Sequence, residues 1–373
     1  MRAIKVSYLN FRNIRGASEG EPAVLSPGEG INILHGRNAQ GKTNILEGIW
    51  LFTGGRSFRG AKDRETVRFG KEKAELKMDF ESGGRLQEAS LIVEFRRYAV
   101  INQIPQPSPN RLSGVFCGVI FSPGHLSLVK NGPEERRRFL DTAYCQVRPG
   151  YIPILGEYSR TLLQRNTLIK RLAQRRGQEA DHLDIWNRRL AHAGAKLMLA
   201  REAYILKLAP KASEVYEGLS GSKEQLSVFY QPSMAADTRC SLPDLEEQLY
   251  RALTNAEGRD LAAGYTTVGP HRDDLGLEID GSPARVYGSQ GQQRSVVIAL
   301  KMAEASLLRE VTGEQPVALL DDVMSELDED RQDYILNHIK DWQVFITCCE
   351  PSAVLRLKAG AVFSVSNGEI TGG

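Results

Sequence analysis

The eight residues from Gly36 to Thr43 have the types and spacing of a loop that wraps nucleotide phosphates. They fit the pattern G-x-x-x-x-G-K-[ST], in which backbone N–H groups cradle the phosphates, the lysine reaches the β- and γ-phosphates, and the hydroxyl ligates Mg²⁺. The pattern therefore predicts an ATP and Mg²⁺ site, with Lys42 catalytic and Thr43 a metal ligand. The predicted nucleotide-binding residues of this loop are Gly36, Arg37, Asn38, Ala39, Gln40, Gly41, Lys42, Thr43 and Asn44.

The segments on either side of this loop are those that a phosphate-binding loop requires. An apolar run from Ile31 to Leu34 precedes it, and a helix-like segment from Asn44 to Phe52 follows. A helix that begins at the loop directs free backbone N–H groups and the positive end of its dipole at an anion. A glycine turn before a core helix is the structural alternative, and the strand–loop–helix context favours phosphate binding.

Two adjacent carboxylates near the other end of the chain form a second candidate for nucleotide chemistry. The apolar run from Val317 to Leu320 leads into Asp321 and Asp322. At the carboxyl end of a buried strand, the first carboxylate is placed to hold Mg²⁺ and the second to orient the attacking water. Surface turns produce the same run, but beside a phosphate loop it predicts Asp321 as a metal ligand and Asp322 as catalytic.

The segment from Gly288 to Arg294 indicates the class of nucleotide-binding protein. It precedes a predicted amphipathic helix over 295–309 and could simply be a loop and N-cap. With the other two motifs it resembles the ABC-type signature L-S-G-G-Q, although Gln290 replaces the first motif glycine and Gly288 the leading apolar residue. On that resemblance Ser289, Gly291 and Gln292 contact the nucleotide of a second subunit, and Ser289 is catalytic.

Composition indicates an ordinary soluble chain of two or three lobes. The 373 residues are 25% charged and 41% hydrophobic, with a net charge of +2. No apolar run approaches the roughly 20 residues of a membrane span, and no signal peptide is indicated, so we expect a cytoplasmic, nucleoid-associated protein without membrane contact. The five cysteines lack paired metal spacing, and Cys348 and Cys349 are interpreted as buried thiols rather than ligands.

The order of the predicted elements gives an α/β fold class: an ABC-type P-loop ATPase head with a mixed β lobe, interrupted by a mainly helical lobe. We expect residues 1–120 to form the N-terminal part of the head, 121–262 the inserted helical lobe, and 263–373 the C-terminal part with the signature and the carboxylate pair. In the last part, strands are predicted over 265–268, 275–279 and 284–286.

Two basic clusters are candidates for contact with nucleic acid. Residues 158–207 contain eleven Lys/Arg against four acids, and residues 56–73 contain seven against three. Such an excess suits contact with a phosphate backbone without base recognition, and solvated helix faces are the alternative. The run Arg136–Arg138 is interpreted instead as structural, with acidic partners in the helical lobe.

Taken together, these motifs closely resemble the RecF family of bacterial recombination mediators, relatives of the Rad50 and SMC heads that lack a coiled coil. The resemblance spans the chain and includes further segments, which are 9–13, 55–59, 121–123, 136–141, 269–274 and 320–328. It implies that Arg12 contacts the nucleotide. The glutamine of the ABC Q-loop and the switch histidine have no counterpart here, and Thr347 or Cys348 occupies the strand end where that histidine would stand.

The resemblance also implies a function. It implies an ATP-dependent homodimer that clamps double-stranded and gapped or junction DNA and helps load recombinase, with RecR and RecO as partners, in DNA replication, recombination, repair and the SOS response. The implied activity is a weak, DNA-stimulated ATPase that acts as a switch. Asp322 is one methylene shorter than the glutamate of faster transporters, which predicts slow turnover.

Three other functions fit part of the sequence. The head of a coiled-coil chromosome ATPase would need sustained heptads and a Cys-x-x-Cys hook in the insertion, and neither is present. A P-loop kinase for a small molecule would not need the segment 288–294. A DNA-binding scaffold with an inert nucleotide site remains open, and a phosphate-release assay with and without DNA separates it from an ATPase.

Overall fold

The structure is a computed structural model that describes residues 1–126, 128–174, 182–339, 341–349 and 360–372. The chain forms two compact units. The first comprises Met1–Ser127, Gly218–Ser220 and Val297–Gly373, and the second comprises Leu128–Glu217 and Gly221–Val296. Residues 263–296, which were predicted to belong to the head, group with the helical unit, because their strands and polar side chains pair within it.

Strands predominate in residues 1–121, helices predominate in residues 123–312, and strands return after residue 317. The strands are β1 (Arg2–Leu9), β2 (Ala23–Leu25), β3 (Ile31–His35), β4 (Ala74–Ser82), β5 (Arg85–Val93), β6 (Arg97–Ile101), β7 (Ile104–Pro105), β8 (Gly118–Phe121), β9 (Leu226–Gln231), β10 (Asp274–Ile279), β11 (Ser282–Pro283), β12 (Val317–Asp321), β13 (Val344–Cys348), β14 (Ala361–Ser366) and β15 (Glu369–Gly372). The α-helices are α1 (Lys42–Leu51), α2 (Pro123–Leu126), α3 (Pro133–Val147), α4 (Tyr151–Gln174), α5 (His182–Ser220), α6 (Leu242–Asn255), α7 (Glu257–Ala263), α8 (Ala284–Tyr287), α9 (Gln290–Thr312) and α10 (Glu329–Ile339).

A mostly parallel sheet in the first unit carries both predicted nucleotide motifs. Its strand order is β15-β14-β3-β13-β12-β8, and only β15 runs antiparallel to its neighbour. All five residues of β12 and of β13 are buried, as expected for strands covered on both faces. The order places β13 between β3, which leads into the phosphate loop, and β12, which ends at Asp321.

A second sheet of the first unit is antiparallel, with the order β2-β1-β4-β5-β6-β7. Its strand β4 alternates buried and more exposed residues along most of its length, the pattern of a sheet with one face in a core. Ile45 and Ile49 of α1 belong to the same buried cluster as Leu76 of β4 and Leu319 of β12. The mixed β lobe predicted from the sequence is therefore built around α1, the helix that follows the phosphate loop.

The second unit contains the helices α3, α4, α6, α7 and α8, most of the long helix α5, and a small antiparallel sheet, β11-β10-β9. A fully buried arginine links its helices. Arg165 Nη1 donates to Asp260 Oδ2 at 2.7 Å and to Thr266 Oγ1 at 2.7 Å, and its Nε donates to Asn187 Oδ1 at 2.8 Å. Helix α6 follows Ser241, whose hydroxyl accepts from the backbone N–H of Asp244, as an N-cap does.

Two predicted strands in this part of the chain were wrong, and one predicted helix is present but begins earlier than expected. Residues 265–268 form no strand, because polar side chains take up their backbone groups: the N–H of Thr266 donates to Asn166 and that of Thr267 to Asp260. Residues 284–286 belong to the helix α8, since the turn at 280–281 pairs only two residues of β11 with β10. Helix α9 begins at Gln290, five residues before the predicted start at 295.

Candidate nucleotide-binding site

The phosphate loop connects β3 to α1 in a conformation that requires glycine at two positions. Gly36 has a φ of +149°, and a Cβ atom there would lie 2.2 Å from the carbonyl oxygen of Val365. Gly41, at the N-cap of α1, has a φ of +117°. L-residues rarely adopt these backbone angles, so the glycines of the sequence motif are explained by the path of the loop.

Lys42 lies inside the curve of this loop. Its Nζ donates to the carbonyl oxygens of Gly36 at 2.5 Å and Arg37 at 3.0 Å, and the residue is 8% exposed. The ammonium group is therefore held within the loop that leads into α1, next to the free backbone N–H groups at the beginning of that helix. A positive charge at this position adds to the helix dipole in attracting phosphate.

The two halves of the predicted metal site meet directly. Thr43 Oγ1 donates to Asp321 Oδ1 at 2.7 Å, although the residues are 278 positions apart in the chain. Burial raises the pKa of Asp321, and the hydrogen bonds from Thr43 and Thr347 oppose that shift. A hydroxyl and a carboxylate are the hard oxygen donors that Mg²⁺ prefers, so these residues fit the ion. Among the described residues, no group of three or more His, Cys, Asp or Glu is placed to hold a metal ion.

A cleft in the first unit brings together seven of the predicted site residues. It is lined by Asn38, Ala39, Gly41, Lys42, Thr43, Asn44, Arg59, Asp322 and Thr347. Arg59 and Thr347 were not among the predicted site residues. Arg59 Nη1 donates to Asn44 Oδ1 at 2.8 Å, and Thr347 lies at the end of β13 beside Asp321. A basic residue in the loop after α1 and a polar residue that ends an apolar run were the available sequence signals.

Arg12, which the resemblance assigns to nucleotide contact, is bound to a carboxylate. Its Nε and Nη2 donate to the two oxygens of the buried Glu47 at 2.9 and 2.8 Å, and its Nη1 donates to the carbonyl of Glu65 at 2.9 Å. Ser57 donates to the same carboxylate at 2.5 Å. Glu47 faces the core from α1. The bidentate ion pair between Arg12 and Glu47 therefore fixes the chain after β1 against the helix that follows the phosphate loop.

The tip of the phosphate loop is supported by the turn between β14 and β15. Gln40 Oε1 accepts from the backbone N–H of Asn367 at 2.6 Å, and its carbonyl accepts from that of Gly368 at 3.0 Å. Asn13 Nδ2 donates to the same carbonyl at 3.2 Å. The predicted loop residue Gln40 therefore directs its side chain at this turn.

The signature-like segment lies in the second unit and caps α9. Ser289 Oγ accepts from the backbone N–H of Gln292 at 3.2 Å, while Gln292 Oε1 accepts from that of Ser289 at 2.7 Å. This reciprocal capping box is the signal that explains the early start of α9. Ser289 is exposed and Gly291 half-buried, whereas the Gln292 amide also donates to Glu224 at 2.7 Å.

The basic cluster 158–207 divides into structural and exposed residues. Arg165 is buried, and Arg201 is held by Asp141 at 2.9 Å and by the carbonyl of Pro270. Arg188 pairs with Asp184, and two members at 175 and 176 lie outside the described residues. Within the described part of the cluster, the members that are exposed or half-buried and form no ion pair are Arg160, Lys170, Arg171, Arg189, Lys196 and Lys207.

The structural interpretation of the run 136–138 is confirmed for Arg136 and Arg137, but their partners lie in residues 273–274, outside the predicted helical lobe. Arg136 donates through Nε and Nη2 to the two carboxylate oxygens of Asp274 at 2.7 and 2.8 Å, and Arg137 donates to the carbonyl of Asp273 at 2.6 Å. The interpretation of the adjacent cysteines was half right, because Cys348 is buried but Cys349 is exposed. Within the described part of the chain, no helix is both long and apolar enough to cross a membrane.

A mostly parallel sheet with the phosphate loop after β3 and a carboxylate pair after β12 defines an ATPase head of the ABC-type P-loop class. A family model described as an AAA domain matches residues 5–111. The chain is 42% identical over 320 residues to the DNA replication and repair protein RecF of Ruminiclostridium cellulolyticum, a match that covers 85% of this chain and 86% of that protein. It is 37% identical to the RecF of Agathobacter rectalis over 99% of this chain and 98% of the relative. The chain belongs to the RecF family.

Solved structures agree with this assignment. A structure of the recombination mediator protein RecF-ATPrS in the RecFOR pathway matches with a TM-score of 0.91 and 34% identity, over 100% of this chain and 98% of that one. The head of an SMC protein bound to the C-winged helix domain of ScpA matches with a TM-score of 0.54 and 14% identity, over 100% and 97% of the two chains. The second match shows that the chain shares its fold with an SMC head.

Proposed function

We propose that this chain is an ATP-dependent clamp on DNA, in which two copies close around ATP at the phosphate loop and reopen after slow hydrolysis. The observation that carries the proposal is the 2.7 Å hydrogen bond between Thr43 and Asp321, which joins the phosphate loop to the carboxylate pair at one cleft. The similarity to a structure of the recombination mediator protein RecF-ATP supports the choice of nucleotide.

The residues of the first unit divide the chemistry between binding and positioning. Lys42 and the N–H groups at the start of α1 neutralise phosphate charge, and Thr43 and Asp321 would hold Mg²⁺. When bound, the ion supplies charge neutralisation between the phosphates. Asp322 is exposed at the cleft, where its carboxylate can orient the attacking water. Phosphoryl transfer depends mostly on such positioning and electrostatics, so no covalent nucleophile is required.

The second copy supplies the remaining part of the site. Ser289 is exposed at the beginning of the 23-residue helix α9, and the free N–H groups and dipole of such a helix attract anions. We propose that Ser289, Gly291 and the start of α9 contact the γ-phosphate held by the partner copy. Because that phosphate then links two chains, ATP favours the dimer and its loss favours the monomer.

DNA is the proposed substrate of the clamp, and it is bound through its phosphates. The exposed basic residues of α4 and α5 offer charge without an arrangement for base recognition, which suits duplex, gapped or junction DNA alike. The RecFOR pathway in the name of the related structure supports RecR and RecO as partners, and recombinase loading at gaps, in DNA repair and the SOS response, as the role. Localisation at the nucleoid follows from that role.

Phosphate release measured with and without DNA tests the ATPase against a scaffold with an inert nucleotide site. We expect weak hydrolysis that rises when duplex or gapped DNA is added, and loss of hydrolysis in Asp322→Ala. Wild-type protein that binds ATP but releases no phosphate under either condition would contradict the ATPase and leave the scaffold.

Salt dependence tests the DNA contacts separately. Neutralising Lys170, Arg171 and Lys207 to Gln should weaken DNA binding and reduce the slope of log K against log salt by about 0.9 for each DNA phosphate that the variant no longer neutralises. Lys5 and Lys77 are exposed in the antiparallel sheet of the first unit and serve as the matched control pair. A flat salt dependence of the wild type, or an equal weakening in the control, would contradict backbone contact at this cluster.

A further inference from the structure

One buried threonine contacts both members of the carboxylate pair. Thr347 is 1% exposed and stands near the end of β13, directly opposite Asp321 of β12 on one side and Leu34 of β3 on the other. Its Oγ1 donates to Asp321 Oδ1 at 3.0 Å and accepts from the backbone N–H of Asp322 at 2.8 Å. A single hydroxyl therefore connects the candidate metal ligand to the residue that would orient water.

The backbone of Asp322 explains why this contact has consequences. Asp322 has a φ of +53°, a left-handed conformation that residues other than glycine seldom adopt. The chain leaves β12 at this residue, and the Thr347 hydroxyl satisfies its N–H. Ser325 Oγ donates to the Asp322 carbonyl at 2.8 Å on the other side. The direction of the Asp322 carboxylate therefore depends on a turn that Thr347 holds at its start.

The contact of Thr347 differs from that of Thr43, although both donate to Asp321 Oδ1. Thr43 belongs to the phosphate loop, so its surroundings change when a nucleotide binds. Thr347 belongs to a strand that is buried along its whole length and is paired on both edges. The hydrogen bond from Thr347 can therefore hold the Asp321 carboxylate in place whatever the conformation of the phosphate loop.

We propose that Thr347 is a positioning residue of the ATPase: its hydroxyl fixes the orientation of Asp321 and the turn that directs Asp322, so that metal and water are bound in the right places. This inference rests on the proposed ATPase function, and it gives a role to the residue that stands at the strand end where a switch histidine was expected. The methyl group of Thr347 is not part of the proposed role, and any residue with a hydroxyl at this position should keep it.

Thr347→Val tests the hydroxyl, since valine keeps the shape and removes the polar atom. Loss of a hydrogen bond to a charged group corresponds to about a tenfold change in an equilibrium or a rate. We expect kcat to fall roughly tenfold and Mn²⁺ affinity, measured by electron paramagnetic resonance with ADP bound, to fall by a similar factor. ATP binding in EDTA, measured with a fluorescent analogue, should stay within about twofold, because Lys42 and the loop are untouched.

Two further variants keep the test decisive. Thr53→Val is the matched control, because Thr53 is also 1% exposed in the first unit. Its hydroxyl donates to the carbonyl oxygen of Trp50 at 2.8 Å, and Thr53 does not line the cleft. Thr53→Val should leave kcat and Mn²⁺ affinity at wild-type values. Thr347→Ser and Thr347→Ala differ only in the hydroxyl and serve if the valine variant does not fold. The serine variant should stay within about threefold of wild type and the alanine variant should not.

The outcomes separate this inference from the proposed function. Wild-type kcat and Mn²⁺ affinity in Thr347→Val would overturn the positioning role, and so would an equal loss in Thr347→Ser and Thr347→Ala. Absence of hydrolysis by the wild type would instead contradict the proposed ATPase activity. In that case the Mn²⁺ affinities of wild type and Thr347→Val would still test whether Thr347 positions Asp321.

Discussion

Replacement of Arg165 by methionine is predicted to destabilise the second unit strongly while leaving DNA binding unchanged. Arg165 belongs to the basic cluster 158–207, but its side chain is fully buried and donates three hydrogen bonds of 2.7–2.8 Å. Methionine fills similar space without donors. The variant therefore leaves the Asp260 carboxylate buried without its cation, and Asn187 and Thr266 each lose a partner.

The expected size of the effect follows from what Asp260 keeps. Breaking a buried ion pair by removing one partner costs about 3–5 kcal/mol. Asp260 Oδ1 retains the backbone N–H of Thr267 at 2.8 Å and its hydroxyl at 2.6 Å. The Nη2 atom of Arg165 forms no hydrogen bond with any residue that the structure describes. Burying the guanidinium therefore already costs some free energy in the wild type. We therefore expect a loss near the lower end, about 3 kcal/mol in the free energy of unfolding.

Urea unfolding followed by circular dichroism measures this loss, and Arg160→Met is the matched control. Arg160 is exposed on the same helix, and its replacement should change the free energy of unfolding by less than about 0.5 kcal/mol. In an Asp260→Asn background, Arg165→Met should cost at least about 2 kcal/mol less than in the wild type, because the unpaired carboxylate is gone. DNA affinity of the folded Arg165→Met protein should stay within about twofold of wild type.

Two results would refute this reasoning. A destabilisation below about 1 kcal/mol would mean that the buried pair is not important for stability. A large loss of DNA affinity in folded Arg165→Met protein, with no loss in Arg160→Met, would mean that the division into structural and exposed basic residues is mistaken.

Three other substitutions probe the loop and the interior. Lys42→Ala should weaken ATP binding at least about tenfold in a fluorescence titration, since it removes the charge inside the loop, and unchanged binding would contradict its role. Gly36→Ala should lower the melting temperature, because its Cβ would meet the Val365 carbonyl, whereas Gly30→Ala has open space and should not. Burial lowers the pKa of His271 to about 4. Between that pH and about 6.5 the imidazole is therefore neutral in the folded chain and protonated in the unfolded chain. Stability is therefore full above neutral pH and is lost as pH falls, by about 2 kcal/mol between pH 7 and pH 5, and urea unfolding should find this loss absent in His271→Gln.

Local motifs predicted the parts of the site that lie in one stretch of chain. The phosphate loop, its strand and its helix follow one another, so spacing alone located them. The run into Asp321 was recognisable as a buried strand because every residue from Val317 to Leu320 is apolar, and the structure buries them all. Their meeting at one cleft was inferred only because the two motifs are known to occur together.

Features that depend on the order of strands in the sheet could not be predicted from local sequence patterns. Thr347 lies beside Asp321 because β13 is inserted between β3 and β12. The family resemblance placed Thr347 or Cys348 at a strand end near the nucleotide, but the local pattern of β13 did not indicate which side chain would be its neighbour. Arg165 and Arg160 look alike as sequence, yet one is buried because Asp260, 95 positions away, lies opposite. The capping box of α9 was visible as Ser289 and Gln292, but it was taken as part of a signature and the helix start was placed too late.

Light scattering of Asp322→Ala in ATP and Mg²⁺ tests the central claim, a composite site that two copies close around a triphosphate. This variant keeps Lys42, Thr43, Asp321 and Ser289, so it should bind ATP without hydrolysing it. We predict twice the mass of the chain with ATP, and the mass of one chain without nucleotide or with ADP. A monomer with ATP bound would contradict the account.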